Sequence, residues 1–202
     1  ADTLIWNDAV EKINAIGEVT LEKETAIKEA RAAYDALTTV QKNLVKNDGA
    51  LTTLEAAEAT LKQLKADKEQ ADAVIGWING LNDPITLAEE QGVQNIRKRY
   101  DSLTDAQKAL VTNLDKLEKA EKQLTELKAA IADTESKIDA IGTVELTDAC
   151  KAKIDAARKA YNALSDEQKE LVSNLKALTD AEDEYKSLAD KAAADKAAAD
   201  DV

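Results

Sequence analysis

One segment of the chain recurs three times, and this internal repetition constrains the fold more than any other feature of the sequence. The copies occupy residues 31–47, 97–113 and 158–174. They share the pattern Arg-x-x-Tyr-[Asp/Asn]-[Ala/Ser]-Leu-[Thr/Ser]-x-x-Gln-Lys-x-Leu-Val-x-Asn. Such self-similarity indicates one supersecondary unit of roughly sixty residues, built three times over.

Each copy contains three stripes of apolar residues at helical spacing. Steps of three and four residues place the members of a stripe on one face of a helix. In the first copy the stripes are Trp6, Val10, Ile13 and Ile16; Ile27, Ala30, Tyr34 and Leu37; and Leu51, Leu54, Ala57, Leu61 and Leu64. Three amphipathic helices must bury these faces against one another, so each copy is predicted to be a three-helix bundle in an all-α fold.

The start of a short helix is predicted inside each repeated segment. Thr38, Thr104 and Ser165 each stand three residues before a glutamine, which is the pattern of a capping box. The second helix is therefore expected to break there and restart as a short helix that carries a Leu-Val pair. These pairs are residues 44–45, 110–111 and 171–172.

Helix ends are predicted at residues that suit the left-handed backbone conformation. Glycine and asparagine adopt this conformation most readily. The expected ends are Asn47, Asn113 and Asn174 after the short helices, and Gly17, Asn82 and Gly142 after the first helices.

The junctions between copies lack helix breakers. No proline stands between residues 51 and 81, and no glycine precedes Gly76 there; residues 114–141 contain neither. The third helix of one copy is thus expected to continue as the first helix of the next, which couples neighbouring units. We predict repeats at 1–67, 68–129 and 130–189, a helical tail or linker at 190–202, and a rod about 75–90 Å long.

The repeated string resembles a repeat common in large secreted or wall-anchored proteins of Gram-positive gut bacteria. It is carried by Tyr-Asp-Ala-Leu-Thr-x-x-Gln-Lys-x-Leu-Val-x-Asn, preceded by Ile-Gly-x-Val-x-Leu, and it covers residues 3–189. The predicted units are also similar to short spectrin-like bundles. The resemblance implies an extracellular protein, on the bacterial surface or secreted, with a stalk, adhesion or host-protein-binding role. An immunoglobulin or another abundant host protein is the partner implied. The alternative is an accessory spacer of a large secreted glycosidase or protease.

Composition and charge argue against several other functions. The net charge of −13 repels phosphate groups, so neither nucleic acid nor anionic lipid is an expected partner. Histidine is absent and Cys150 is the single cysteine, which removes structural zinc and His-based triads. No apolar run is long enough to span a membrane. We expect a non-catalytic monomer without cofactor or metal, in which Cys150 is an incidental free thiol; a disulfide-linked dimer is the alternative.

The repeated tyrosines and arginines are interpreted as structural. Tyr34, Tyr100 and Tyr161 belong to the buried stripe, with the hydroxyl group reaching the edge of the bundle. Arg31 with Asp35, and Arg97 with Asp101, are predicted to be i,i+4 surface pairs.

Trp77 is the predicted protein-binding residue. Its counterparts in the other copies are Lys12 and Lys137, and glycines stand nearby at Gly76, Gly80 and Gly92. Interior glycines cost helix stability. They either make room for the indole to fold back onto the bundle, or Trp77 is an exposed anchor, since tryptophan is enriched at binding hot spots.

Overall fold

The computed structural model describes the backbone of residues 2–200 and the side chains of residues 5–199. Within that range the chain forms ten α-helices and no strand, which confirms the all-α prediction. None of these helices is both long and apolar enough to cross a bilayer. The helices are α1 (Asp2–Asn14), α2 (Glu24–Asp35), α3 (Thr39–Asp48), α4 (Ala50–Asn79), α5 (Glu90–Asp101), α6 (Asp105–Lys108), α7 (Leu114–Asp139), α8 (Asp148–Ala163), α9 (Asp166–Glu170) and α10 (Leu175–Asp200).

The chain folds into two compact units. The first holds the chain up to Asn79 together with Lys98–Asn113, and the second holds Gly80–Arg97 and the chain from Leu114 onwards. The predicted repeat boundaries at residues 67, 129 and 189 follow the copies of the sequence and stay a prediction. Of the predicted tail, residues up to Asp200 continue α10, while Asp201 and Val202 lie outside the described residues.

The first unit contains a core built from the predicted stripes of copy one. α1, α2, α3 and the first half of α4 pack together, and Ile13, Ile27 and Leu54 lie at the centre. Trp6 and Tyr34 are partly buried against this core. Burying a large aliphatic side chain stabilises a fold by about 1.5–3 kcal/mol, so these stripes supply most of the driving force here.

The second unit has a matching core around α8. Ile138 of α7, Ile154 of α8 and Leu178 of α10 are buried together. Cys150 belongs to this core and is 7% exposed. Its backbone N–H donates to Thr147 Oγ1 at 3.1 Å, at the start of α8. A thiol packed in this way reaches another chain only when α8 moves, which argues against the disulfide-linked dimer.

Two helices are much longer than the others and run without interruption. α4 has 30 residues and α7 has 26, so the third stripe of copies one and two continues into the first stripe of the next copy, as predicted. Alanine, leucine, lysine and glutamate dominate both helices, and these are strong helix formers. α4 buries Leu54 in its first half and Ile78 in its second. Each long helix is therefore stabilised by packing at both ends.

All three predicted capping boxes are present. In the first, Gln41 N–H donates to Thr38 Oγ1 at 3.4 Å, and Thr38 N–H donates to Gln41 Oε1 at 3.0 Å. Each box satisfies two N–H groups that would otherwise lack partners at a helix start.

The capping glutamines of copies two and three also bind a long helix. Gln107 Nε2 donates to Asp67 Oδ1 of α4 at 2.8 Å, within the first unit. Gln168 Nε2 donates to the carbonyl oxygen of Leu127 in α7 at 3.0 Å, within the second unit. One side chain thus starts a short helix and attaches it to the neighbouring long one.

The prediction of left-handed asparagines is wrong. No residue other than glycine has a positive φ in the described chain. Gly17 and Gly142 do, at +62° and +66°, as predicted, but Asn82 does not. After α3 it is Gly49 that takes the left-handed conformation, at +88°.

The amides of two of these asparagines, Asn113 and Asn174, donate instead to a long helix. Asn113 Nδ2 donates to the carbonyl oxygen of Ile75 at 3.1 Å, and Asn174 Nδ2 donates to that of Glu135 at 3.0 Å. The Leu-Val pairs also differ from the prediction. Only α3 carries its pair, while α6 and α9 end before residues 110–111 and 171–172.

A repeated arginine–glutamate pair was not anticipated. Arg31 binds Glu58 through Nε and Nη2, each at 2.6 Å. Arg97 binds Glu121 through the same two nitrogens, so both contacts are bidentate. The third pair is Arg158 with Glu182. Two parallel charge-assisted hydrogen bonds fix the orientation of both side chains, so each pair attaches a second helix to a third helix.

Glu24, at the start of α2, is held by two lysines. Hydrogen bonds from Lys28 and Lys65, at 2.7 and 2.6 Å, lower the pKa of its carboxyl to about 2. A carboxyl whose pKa is lowered on folding stabilises the fold above its unfolded pKa, near 4.5. That contribution is lost as the pH falls toward the folded value.

We therefore expect Glu24→Gln to reduce stability at pH 6 and to differ progressively less from the wild type as the pH falls from about 4.5 to about 2. Urea midpoints followed across this range measure the effect. Glu22→Gln removes an exposed carboxylate nearby and serves as the control. A difference between Glu24→Gln and wild type that stays constant over this pH range would contradict the expectation.

Candidate protein-binding site

Trp77 lies on the surface near the end of α4. Its neighbours in the helix, Val74 and Ile78, are buried, whereas Trp77 is 42% exposed. The indole is therefore neither enclosed in the core nor fully solvated. Its sequence counterparts in copies one and three are Lys12 and Lys137, which also lie on the surface.

Arg99 of α5 covers part of the Trp77 ring. The guanidinium carbon lies 4.6 Å from the ring centroid, well within the range of a cation–π contact. Neither Arg99 nor the adjacent Lys98 forms an ion pair with a carboxylate of the described residues. Arg99 thus lies against the indole without an ion-pair partner among the described residues, in a chain whose net charge is −13.

The same place in the other copies carries a different arrangement. Copies one and three have an i,i+4 ion pair there, Lys12 with Asp8 at 2.7 Å and Lys137 with Asp133. In copy two, Ala73 and Trp77 replace the two partners. Arg99 also differs from its counterparts, which are Ala33 and Ala160. Copy two therefore lacks the ion pair of the other copies. In its place, the Trp77 ring contacts Arg99, a cation that forms no ion pair with the described residues.

Crowding by other parts of the chain does not explain Gly76 or Gly92. Apart from its two chain neighbours and the nearby backbone of its own helix, a methyl group at either position would meet no atom within 4 Å. Trp77 is a chain neighbour of Gly76, so this observation bears on the indole only at Gly92. Neither glycine has a positive φ. The suggestion that they make room for the indole therefore gains no support at Gly92.

We expect Gly76→Ala to raise the free energy of unfolding by about 1 kcal/mol, because alanine lowers the entropy of the unfolded chain and favours the helix. Urea denaturation measures this change. Gly142→Ala is the matched control, since Gly142 has a φ of +66° and alanine there should destabilise. A destabilised Gly76→Ala variant would mean that the backbone or the adjacent indole requires glycine at this position.

Two open grooves in the first unit are further candidates for binding. One, of about 400 Å³, has Ile27 and Leu61 at its floor and basic groups at its rim. Most of this charge is already neutralised, because Glu24 binds two of the lysines and Glu58 binds the arginine. The other, of about 460 Å³, lies beside Gly17 and is lined by small uncharged residues of α4. Neither groove combines an exposed aromatic ring with an unpaired cation.

The described residues contain no group of three or more acidic, cysteine or histidine side chains arranged to hold a metal ion. The Trp77–Arg99 surface is suited to non-covalent recognition, through apolar contact with the indole and hydrogen bonds from the guanidinium. Sequence comparison between the copies identified Trp77 and missed Arg99. No family model, curated protein or solved structure matches this chain, so the resemblance to Gram-positive surface repeats stays an expectation.

Proposed function

We propose that this chain is a non-catalytic repeat segment of a bacterial cell-surface protein, acting as a stalk and adhesion module outside the cell. The observation that carries this proposal is the continuity of α4 and α7, which run through both junctions between copies. A continuous helix resists bending far better than a flexible linker does. Its packing at both ends also ties the stability of one repeat to that of the next.

The proposed architecture is a rod of three three-helix bundles in tandem. The repeated capping boxes and the repeated arginine–glutamate pairs support it, because the same contacts recur at the same positions of each copy. A segment of this kind would hold a terminal domain away from the cell wall.

The adhesive part of the proposal concerns a host protein, with an immunoglobulin as the first candidate. The partly exposed Trp77 beside an unpaired arginine supports a binding role. Tryptophan and arginine are the side chains most enriched among residues that dominate binding energy. This surface occurs in one copy, so a single binding event per chain is proposed.

Small-angle X-ray scattering tests the stalk. A compact globule of this length would have a radius of gyration of about 17 Å. A rod of 75–90 Å would give about 25 Å. A value near 17 Å for the monomer would reject the stalk.

Surface plasmon resonance against immobilised immunoglobulin and serum albumin tests the adhesive role. Saturable binding that Trp77→Ala abolishes would support it. If the chain is extended but binds neither protein, the stalk remains and the immunoglobulin proposal fails. A spacer that belongs to a secreted glycosidase or protease would then be the better account.

A further inference from the structure

We infer that Trp77 and Arg99 form a composite site for an acidic segment of a partner protein, in which a carboxylate side chain stands next to an apolar one. This inference rests on the proposed adhesive function and specifies the chemistry of the partner. The indole would take the apolar side chain, and the guanidinium would take the carboxylate.

The charge at the site comes from Arg99, which is specific to copy two. The string Arg97-Lys98-Arg99 stands where the other copies have Arg31-Ala32-Ala33 and Arg158-Lys159-Ala160. The first arginine of each string is already paired with a glutamate of the third helix. Arg99 has no such partner in the described chain, so its guanidinium is available to an external carboxylate. Arginine binds carboxylates through two parallel hydrogen bonds, which makes it selective for them.

The removal of acidic groups beside the indole favours the same ligand. Ala73, one helical turn before Trp77, is exposed and stands where copies one and three have an aspartate. An aspartate at that position would repel an incoming carboxylate and compete with it for the arginine. Gly76 likewise replaces Glu11 of copy one. The side of α4 around Trp77 is therefore uncharged at these two positions.

The rest of the chain restricts which anionic partner fits. With a net charge of −13, the molecule repels extended polyanions such as nucleic acid and anionic lipid surfaces, which present many phosphates at once. A short protein segment presents one or two carboxylates within reach of Arg99. At physiological salt the Debye length is about 8 Å, so more distant acidic groups of the chain are largely screened. The charge of Arg99, which lies against the indole, then decides the interaction.

The other copies provide a matched control within the same sequence. The triple variant Ala73→Asp/Trp77→Lys/Arg99→Ala places in copy two the residues found in copies one and three. Because those residues form an ion pair in both other copies, we expect this reversion variant to fold and to melt close to the wild type. It should have lost the binding site.

The experiment selects a phage-displayed random peptide library on the full chain, with counter-selection on the reversion variant. We expect enrichment of peptides that carry Asp or Glu next to a large apolar residue. Binding of a synthetic enriched peptide is then followed by NMR through the two indole N–H signals of the chain. Trp77 should shift while Trp6, which packs against the first core, should not. The Trp6→Phe variant assigns the two signals.

The expected affinities separate the two halves of the site. Replacing the carboxylate of the peptide by its amide should weaken binding at least tenfold, and Arg99→Ala or Trp77→Ala should weaken it about thirtyfold. Arg99→Lys should fall between wild type and Arg99→Ala, because it keeps the charge and loses the second hydrogen bond.

Several results would overturn the inference. These are no enrichment over the reversion variant, enriched peptides without a carboxylate, or an affinity that Arg99→Ala leaves unchanged. A reversion variant that melts well below the wild type, together with no peptide binding, would assign Trp77 and Arg99 a purely structural role. If immunoglobulin binding persists in the reversion variant, the adhesive function stands and its site lies elsewhere. If the wild type also fails to bind immunoglobulin, the proposed adhesive function itself is wrong.

Discussion

Leu54→Ala is expected to lower the free energy of unfolding of the first unit by about 3 kcal/mol. Leu54 is 0% exposed and lies at the centre of the first core, so truncation removes buried methyl groups and leaves a cavity. Leu178 holds the equivalent position in the second unit and is also 0% exposed. Leu178→Ala should therefore cost a similar amount there.

The two variants can be told apart because both tryptophans, Trp6 and Trp77, lie in the first unit. Urea unfolding followed by tryptophan fluorescence reports on that unit, whereas circular dichroism at 222 nm reports on all helices. We expect Leu54→Ala to shift the fluorescence midpoint and Leu178→Ala to shift mainly the circular dichroism curve. Coincident shifts in both signals for Leu178→Ala would mean that the two units unfold as one.

Leu44→Ala is the control for this series. Leu44 is the same residue type in copy one but is 41% exposed, so its truncation should cost only about 0.5 kcal/mol. A loss at Leu54 as small as that at Leu44 would contradict the placement of Leu54 at the centre of the core.

The helices and their buried faces were predictable because burial enforces a period. Ile13, Ile27 and Leu54 belong to stripes that repeat every three or four residues, and a helix is the conformation that brings such residues to one face. The capping boxes were predictable for a related reason. Both partners lie within four positions of the chain, so local geometry alone determines the contact.

The asparagines were misassigned because their partners are remote in sequence. Asn113 was expected to adopt a left-handed conformation at a helix end, yet its amide donates to the carbonyl oxygen of Ile75, on a helix that ends well before it in the chain. A side-chain hydrogen bond to another helix satisfies the amide N–H without a positive φ, although the buried Oδ1 atoms of Asn113 and Asn174 accept no hydrogen bond from the described residues. Residue type and position in the sequence do not distinguish these two outcomes.

The arginines show how the comparison of copies can rank two partners of one side chain. Arg31 forms the predicted i,i+4 ion pair with Asp35 at 3.9 Å, and it also forms two hydrogen bonds of 2.6 Å with Glu58. Glu58 has a glutamate counterpart in both other copies, at Glu121 and Glu182. Asp35 has Asn162 as its counterpart in copy three. The glutamate, present in every copy, was therefore the better candidate for the closer of the two partners.

The same comparison identifies half of the candidate site without structural information. Trp77 stands out against Lys12 and Lys137, and Arg99 would have stood out against its two alanine counterparts. What the sequence does not provide is the link between them. Trp77 and Arg99 belong to different helices, and their 4.6 Å contact depends on how α4 and α5 pack.

Ala66→Pro is expected to cost about 3 kcal/mol or more, although Ala66 is exposed and makes no contribution to the core. Ala66 lies in the interior of α4, so proline there removes the hydrogen bond from its N–H to the carbonyl oxygen of Lys62 and clashes with that turn. The loss would therefore arise from the helix backbone alone. The measured loss of unfolding free energy would show how much the stability of the first unit depends on an uninterrupted α4.

Two controls separate helix continuity from the general effect of proline. Ala66→Gly keeps the N–H group and should cost about 1 kcal/mol. Ala193→Pro interrupts α10 in an exposed stretch after its last buried residues, where the helix end can unwind without disturbing the core, and should leave the unfolding midpoint nearly unchanged.

Ala66→Pro also tests how the two ends of α4 are coupled. In the wild type, Trp6 packs against the core that contains the first half of α4, while Trp77 lies near the end of its second half. In Trp6→Phe and Trp77→Phe backgrounds, fluorescence follows each end separately, and we expect the two transitions to coincide. Proline at residue 66 should separate them, because a broken helix no longer transmits stability from one end to the other. Transitions that still coincide, with a loss below about 1 kcal/mol, would contradict the proposal that a continuous α4 makes the repeats a mechanical unit.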